Sequence, residues 1–147
     1  MSHRILIMGL PGAGKTTLAA ALTALLMFDK KVTWLNADTV REQFNDWDFS
    51  PEGRLRQAHR MRSLADKEIS IGRLVICDFV APTPEIRNIF DADITIWIDT
   101  ILQSRYEDTN KVFVPPEHID FHITEQDAEK WAEHIAAHLL TTLYSSP

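Results

Sequence analysis

The chain is short of cysteine, of positive charge and of long apolar runs, and each shortage narrows what the protein can be. Its 147 residues contain one cysteine, Cys77, and carry a formal net charge of −6. A lone cysteine inside an apolar run excludes an intrachain disulfide and indicates a buried structural thiol. The acidic balance argues against a broad nucleic-acid surface. With no membrane-spanning run and no signal-peptide pattern at the start, we expect a cytoplasmic protein with one domain over 1–147 that binds neither nucleic acid nor membrane.

Glycine is also scarce, but three of the five glycines fall within "GLPGAGKTT". The spacing Gly-x4-Gly-Lys-Thr is the P-loop pattern, and here it follows an apolar strand and precedes a helix. The predicted phosphate-binding residues are Gly9, Gly12, Ala13, Gly14, Lys15, Thr16 and Thr17. The glycines let backbone N–H groups surround phosphates, Lys15 should reach the β- and γ-phosphates, and Thr16 should ligate Mg²⁺. The predicted cofactors are therefore ATP and Mg²⁺.

Apolar runs alternate with helix signals along the chain. Strands are expected at "RILIM", "KVTWLN", "RLVICDF", "ITIWID" and "DFHIT". Helices are expected over 15–27, 38–44, from Pro51 (with Ser50 as N-cap) to a stop at Gly72, over 82–90, and after a cap at Thr124. The pattern leaves residues 101–118 without an assignment. This order predicts an α/β P-loop three-layer sandwich with a parallel sheet of about five strands.

Two of the expected strands end in aspartate, at Asp78 and at Asp99. Either carboxylate could hold the metal through its water shell. We favour Asp78 because its strand is the one expected to flank the P-loop. Asp99 has the simpler interpretation of a polar strand end.

The P-loop alone leaves open what receives the phosphate. A GTPase would carry a guanine-reading N/T-K-x-D segment, and "DTNKVF" has Val112-Phe113 where x-Asp should follow. A motor ATPase usually needs a longer chain. Four arginines between Arg54 and Arg62, with Arg41 before them, suggest a small anionic ligand in an otherwise acidic protein.

The segment between strands two and three resembles the adenylylsulfate (APS) kinase family. The family reads L-D-G-D-N-V-R…L-N…G-F-S-x-E-D-R, and this chain has "LNADTVREQFNDWDFSPEGR". Its P-loop, the strand "ICDFVAP", the "IDTI" stretch and "FVPPEHID" match further family segments in the same order. The resemblance implies transfer of the γ-phosphate of ATP to the 3′-hydroxyl of APS, which gives PAPS and ADP in sulfate assimilation.

The resemblance also implies roles for individual side chains. Asp38 matches an aspartate that positions or deprotonates the attacking hydroxyl, and Lys15 completes the catalytic pair. Arg41 and Arg54 match the arginines that hold the phosphosulfate group, and Phe49 matches the ring that stacks on the APS adenine. The remaining matches to the pocket are Gln57, Phe79 and Pro82.

The chain departs from the family pattern at three places. Asn36 stands where the family has the first aspartate of D-G-D, and Asp78 stands where it has a serine. The lid region 101–118 is shortened, and within it Tyr106 and Arg105 match a second stacking ring and a lid arginine. The alternatives are therefore a P-loop kinase of another small hydroxyl substrate, or a non-catalytic nucleotide-binding module. The apolar C-terminal helix and four tryptophans leave room for a homodimer.

Overall fold

The computed structural model describes residues 3–142, in which five strands and six helices alternate. The strands are β1 (Arg4–Met8), β2 (Val32–Asn36), β3 (Leu74–Asp78), β4 (Ile94–Ile98) and β5 (Phe121–Ile123). The helices are α1 (Lys15–Leu26), α2 (Ala37–Phe44), α3 (Pro51–Ser70), α4 (Pro84–Phe90), α5 (Glu107–Val112) and α6 (Ala128–Thr142). The predicted fold class, a P-loop sandwich with a five-stranded sheet, is confirmed.

The strands form one parallel sheet in the order β2-β3-β1-β4-β5. All strands therefore end at the same edge, where the loops before α1, α2 and α4 also lie. In open parallel sheets, ligands bind at this carboxyl edge, beside the point where the strand order reverses. Here the P-loop follows β1, the central strand.

The two faces of the sheet bury separate apolar layers. Ile5, Ile7 and their neighbours on alternate positions pack under α1 and α6, whereas Leu6 and Met8 pack under α3 and α4. All five residues of β3 are buried, including Cys77, whose thiol pKa is raised by burial. The expected buried structural cysteine is confirmed. No helix within residues 3–142 combines the length and apolarity needed to cross a bilayer.

Helix starts account for most of the differences from the sequence expectations. The helix expected at 82 begins at Pro84, because the Thr83 side chain accepts a hydrogen bond from the Ile86 N–H and so caps it. The last helix is expected directly after a cap at Thr124 but begins at Ala128. Asp127 Oδ1 accepts a hydrogen bond from the Lys130 N–H at its start. The Ser50 cap is confirmed, with its hydroxyl 3.1 Å from the Gly53 nitrogen.

Residues 101–118 are not wholly irregular, because they contain the short helix α5. Its start lacks a side-chain cap, which explains why no helix signal precedes it in the sequence. Instead Asn110 accepts hydrogen bonds from the backbone and hydroxyl of Ser104, at 2.9 and 2.7 Å, and returns one to the Ser104 carbonyl. This exchange closes the loop that leads into α5.

Candidate active site

The P-loop has glycines at positions where any other residue would strain the backbone. Gly14 begins α1 with φ +108°, and Gly9 has φ +154°. A Cβ on Gly9 would lie 2.5 Å from the Ile98 carbonyl oxygen, so only glycine allows β4 to approach the loop this closely. The loop is thereby held between β1 and β4 with its N–H groups at the start of α1, the arrangement that binds phosphate.

The Lys15 ammonium group lies inside this loop. Its Nζ donates to the Leu10 carbonyl at 3.1 Å. Burial lowers the Lys15 pKa to about 8, and the nearby carboxylates of Asp78 and Asp38 oppose that shift. A cation removed from water and bonded to a single carbonyl is well suited to bind an anionic oxygen. A phosphate oxygen would replace the favourable interaction with water that an exposed lysine has.

Asp78 is the centre of a hydrogen-bond network at the carboxyl edge. Its side chain accepts from the Thr16 hydroxyl at 3.0 Å and from the Trp34 indole N–H at 3.1 Å. Asn36 Nδ2 lies 3.1 Å from both Asp78 oxygens. Burial raises the Asp78 pKa, and the donors from Trp34, Thr16 and Asn36 counteract part of that rise. Trp34 was not singled out by the sequence, although it lies two positions before Asn36 on the same face of β2.

Asp99, the other strand-end aspartate, lies in a different environment. Its Oδ2 is 2.9 Å from His122 Nε2, and the His122 ring stacks on Trp97 with centroids 4.5 Å apart. The Thr16 hydroxyl thus contacts Asp78 and not Asp99. The metal role of Thr16 and Asp78 stays a prediction.

Two clefts flank the P-loop. The β2-side cleft, of about 350 Å³, is lined by Thr16, Trp34, Asn36, Asp38 and Thr39. The β5-side cleft, of about 360 Å³, is lined by Gly12, Ala13, Gly14, Thr17, Leu18, Ile98, Thr100, Ile123, Glu125, Gln126, Asp127, Ala128 and Trp131. The P-loop thus separates two spaces large enough for small-molecule groups.

Asp38 faces the β2-side cleft from the first turn of α2. Asn36, not Asp38, caps this helix, with its Oδ1 2.9 Å from the Thr39 nitrogen. The Asp38 carboxylate is therefore not used to cap α2. Within the described part of the chain the Asp38 carboxylate accepts no hydrogen bond, and the residue is exposed. An uncommitted carboxylate beside the P-loop can contact a ligand.

Phe49 and the two predicted substrate arginines form one cluster. The Arg41 guanidinium lies 4.2 Å from the Phe49 ring centroid, and that of Arg54 lies 5.7 Å away. Arg41 is buried and donates to the carbonyls of Asp46 and Asp48. The Phe49 ring is 47% exposed. Two guanidinium groups thus lie near a ring that remains about half exposed.

Arg54 connects this cluster to α5. Its Nε donates to the Phe49 carbonyl at 2.9 Å, and its Nη2 donates to the Thr109 hydroxyl at 3.1 Å. The same nitrogen lies 3.6 Å from the exposed Asp108 carboxylate. Thr109 is buried and was missed from the sequence, where a threonine in an unassigned segment gives no signal. The shortened lid therefore reaches the predicted acceptor site.

The other arginines of the cluster are neutralised within the protein. Arg56 and Arg60 both pair with Asp46 at 2.8 Å. These pairs hold the pKa of the Asp46 carboxyl well below its usual range. Arg62 pairs with Asp66 at 2.9 Å. Only part of the arginine cluster is thus available to an anionic ligand.

Gln57 is buried, with its amide fully engaged. Its Nε2 donates to the Ala37 carbonyl at 3.1 Å, and its Oε1 accepts from Arg60 at 2.7 Å. Gln57 thereby fixes the turn of backbone that carries Asp38. Phe79 is buried too, edge-on to Phe90 with centroids 5.4 Å apart. The substrate contacts assigned to Gln57 and Phe79 rest on the resemblance and stay predictions.

Of the remaining predicted residues, Tyr106 lies just before α5 and Pro82 contacts the backbone just after it. Tyr106 is 45% exposed at the start of α5, and its hydroxyl accepts from Arg105 at 3.0 Å. At the other end the Pro82 carbonyl accepts from the Val114 nitrogen at 2.7 Å. Arg87 joins the same two backbone segments, since it donates to the carbonyls of Ala81 and Val114. Burial lowers the Arg87 pKa to about 10.

We expect Arg87→Ala to release the segment 101–118. The change leaves two carbonyls without a charged donor and removes a cation 5.5 Å from the Phe113 ring, at a cost of about 1–3 kcal/mol in the free energy of unfolding. Amide hydrogen exchange should rise in 101–118 more than in β1 or β3. Arg73→Ala, which removes an arginine with a single 3.6 Å ion pair to Glu68, is the matched control. Unchanged exchange in 101–118 would contradict the fastening role of Arg87.

Comparisons with known proteins agree with the fold and the order of these motifs. A probable adenylyl-sulfate kinase of Aeropyrum pernix is 39% identical over 82 residues, which are 54% of this chain and 45% of that protein. The chain spans about half the length of the curated relatives that it matches. The solved structure of the Mycobacterium tuberculosis APS kinase CysC in complex with AMPPNP and APS superimposes with a TM-score of 0.82 at 20% identity, covering 94% of this chain and 97% of that one.

A hexameric APS kinase from Thiobacillus denitrificans gives a TM-score of 0.77 at 26% identity, covering 97% of this chain and 29% of that one. This relative does not bear on the homodimer expected from the sequence, which stays a prediction. The sequence model of the adenylylsulphate kinase family matches residues 1–112. That match includes the P-loop, the Asp78 network, the Phe49 cluster and α5, and it covers well over half of the chain. The chain belongs to the adenylylsulphate kinase family.

Proposed function

We propose that the protein is an ATP-dependent kinase that phosphorylates the 3′-hydroxyl of APS, giving PAPS and ADP in sulfate assimilation. The observation that carries the proposal is the β2-side cleft, because the P-loop hydroxyl of Thr16 and the uncommitted carboxylate of Asp38 line the same space. A phosphate donor and a hydroxyl acceptor must meet between two such groups. The β5-side cleft leaves room for the donor nucleoside on the other side of the loop.

The residues at the loop fit a magnesium ion. The Thr16 hydroxyl and the Asp78 carboxylate supply hard oxygen donors within 3.0 Å of each other. Among residues 3–142 no group of three or more His, Cys, Asp and Glu side chains could hold a metal by itself. This suits Mg²⁺, which usually takes one or two protein oxygens and completes its shell with phosphate and water. When bound, the ion would neutralise charge on the phosphates.

The chain's own groups would perform the rest of the reaction. Backbone N–H groups of the P-loop and Lys15 hold the β- and γ-phosphates. Asp38 orients the 3′-hydroxyl and accepts its proton while that oxygen forms a bond to the γ-phosphorus and the bond to the β,γ-bridging oxygen breaks. Phe49 would stack on the adenine of APS, and Arg41 and Arg54 would face its two adjacent anionic groups, for which guanidinium groups are well suited.

The two alternatives make different use of the same site. A kinase of another small hydroxyl substrate keeps the P-loop and Asp38 but needs neither the Phe49 ring nor Arg54. A non-catalytic module binds nucleotide and transfers nothing. A coupled ADP-release assay with APS and a panel of other acceptors separates the three. We expect turnover with APS. Turnover with another acceptor alone, or tight ATP binding with no turnover on any acceptor, would each replace the proposal.

We expect Arg54→Ala to raise KM for APS far more than KM for ATP. Loss of one hydrogen bond to a charged group corresponds to roughly a 10- to 100-fold weaker interaction. Arg54 contacts the Phe49 carbonyl and α5, on the acceptor side, so ATP should be little affected. Steady-state kinetics with each substrate varied in turn measures both constants.

Arg62→Ala is the matched control, since Arg62 lies on the same helix but pairs with Asp66. It should leave both KM values near those of the parent protein. Equal increases in the two KM values for Arg54→Ala would remove Arg54 from the acceptor site.

A further inference from the structure

The ends of β2 and β3 bring two side chains to one place. Asn36 and Asp78 are register partners across the parallel pair, and both point to the α1 face of the sheet. Asn36 Nδ2 lies 3.1 Å from each Asp78 oxygen and 3.4 Å from the Thr16 hydroxyl. The functional group of either residue can therefore reach the P-loop hydroxyl.

Each of the two side chains also makes hydrogen bonds to residues other than its partner. Asp78, which is 2% exposed, accepts from Trp34 on one oxygen and from Thr16 on the other. Asn36 uses its own oxygen to cap α2 through Thr39, which leaves only its NH₂ group to face Asp78. Trp34 thus fixes one oxygen of the Asp78 carboxylate, so that the other oxygen faces Thr16.

Two of the three departures from the family pattern fall on this one pair of positions. The pattern has aspartate at position 36 and serine at position 78, and this chain has asparagine and aspartate. Taken separately, the changes are a lost and a gained charge. Since the two side chains meet beside Thr16, they amount to the transfer of one carboxylate from the end of β2 to the end of β3.

We propose that Asn36 and Asp78 work as a unit that supplies one carboxylate beside Thr16, whichever strand carries it, and that Trp34 is its positioning residue. This inference rests on the proposed nucleotide and Mg²⁺ site, not on the identity of the acceptor. One carboxylate is the required number. A second carboxylate at about 3 Å would repel Asp78 and displace it from the Thr16 hydroxyl, and none would leave no anionic oxygen near the metal's water shell.

The test is a double-mutant cycle with N36D, D78S and N36D/D78S. The measured quantity is the gain in affinity for AMPPNP on adding Mg²⁺, obtained by calorimetry with and without the ion. We expect D78S to lose roughly tenfold or more of this gain, the scale of one charge-assisted contact. N36D should also lose gain in the parent background but restore it in the D78S background, to within about threefold of the parent, because the effects of contacting residues are not additive.

Losses that multiply in N36D/D78S would overturn the proposal, because the two positions would then act independently. The N36D change should not impair folding, since aspartate is as good a helix cap as asparagine at position 36. D78N, which keeps the shape of the side chain, provides a second variant without a carboxylate and should lose the same gain as D78S. A D78N protein with the parent's full Mg²⁺ gain would also overturn the proposal.

Trp34→Phe tests the positioning role separately. It keeps an aromatic ring at the wall of the cleft and removes the five-membered ring of the indole with the N–H that donates to Asp78. We expect a partial loss of the Mg²⁺ gain with unchanged AMPPNP affinity in the absence of the ion. An unchanged gain would remove Trp34 from the unit. Since no measurement uses an acceptor, failure of the proposed APS kinase activity would leave all these outcomes readable.

Discussion

Asp38→Asn is expected to lower kcat with APS by roughly 10²- to 10⁴-fold, the range typical for loss of a general base. The substitution is isosteric, and the Asp38 side chain does not cap α2, a role that belongs to Asn36. The fold and the P-loop should therefore be unaffected. AMPPNP affinity should stay near that of the parent protein, so that the whole effect lies in the transfer step. Single-turnover kinetics with saturating ATP and APS measures that step directly.

Glu42→Gln is the matched control for this variant. It makes the same chemical change at an exposed position of the same helix, one turn farther along. Its kcat should be close to that of the parent. An Asp38→Asn protein with full activity would remove Asp38 as base and as positioning group.

Lys15→Met should reduce kcat/KM for ATP by about 10³-fold, the scale of losing one cation that stabilises charge on the transferring phosphoryl group. Stability should not fall with it. The Lys15 ammonium is desolvated in the nucleotide-free protein and held by a single carbonyl, which is why its pKa is lowered to about 8. Removing a buried charge relieves that cost. Thermal unfolding and nucleotide titration, run on the same preparation, check both halves of the prediction.

Lys67→Met, an exposed lysine in the last turn of α3, is the control for loss of a positive charge. It should change neither property. A Lys15→Met protein that unfolds at a clearly lower temperature would assign Lys15 a structural role instead.

The parts of the fold that follow from local chemistry were predictable. The glycines, lysine and threonine of the P-loop lie in one contiguous segment. The P-loop can therefore be located without knowing any tertiary contact. The α3 cap at Ser50 and the buried strand ending at Asp78 depend on neighbouring residues alone in the same way. Parallel strands end at one edge, which places both Asp78 and Asp99 there. Since β3 and β4 both flank β1, the sheet order does not separate the two aspartates, and only the contact with Thr16 distinguishes Asp78.

What could not be predicted depends on pairing between distant segments. The strand register that sets Asn36 beside Asp78 joins residues 42 positions apart, and neither residue type alone indicates the other. Arg56 and Arg60 pair with Asp46 of the preceding loop and Arg62 pairs with Asp66, so charge counts overstated how much of the arginine cluster is free to bind an anion. The start of α5 is supported by Asn110 and Ser104 instead of a cap, a contact that secondary-structure patterns do not reveal.

Arg87 and the Val114–Pro82 hydrogen bond also bear on the timing of turnover. A long lid closes over its substrates and must reopen, and that reopening often limits kcat. Val114 is fastened to Pro82 and Arg87, and Thr109 to Arg54, so we expect this part of the segment to stay in place and product release not to wait for it to open. A segment that stays in place excludes water less completely than one that closes. If the proposed kinase activity holds, we therefore expect rapid product release together with some transfer of the γ-phosphate to water.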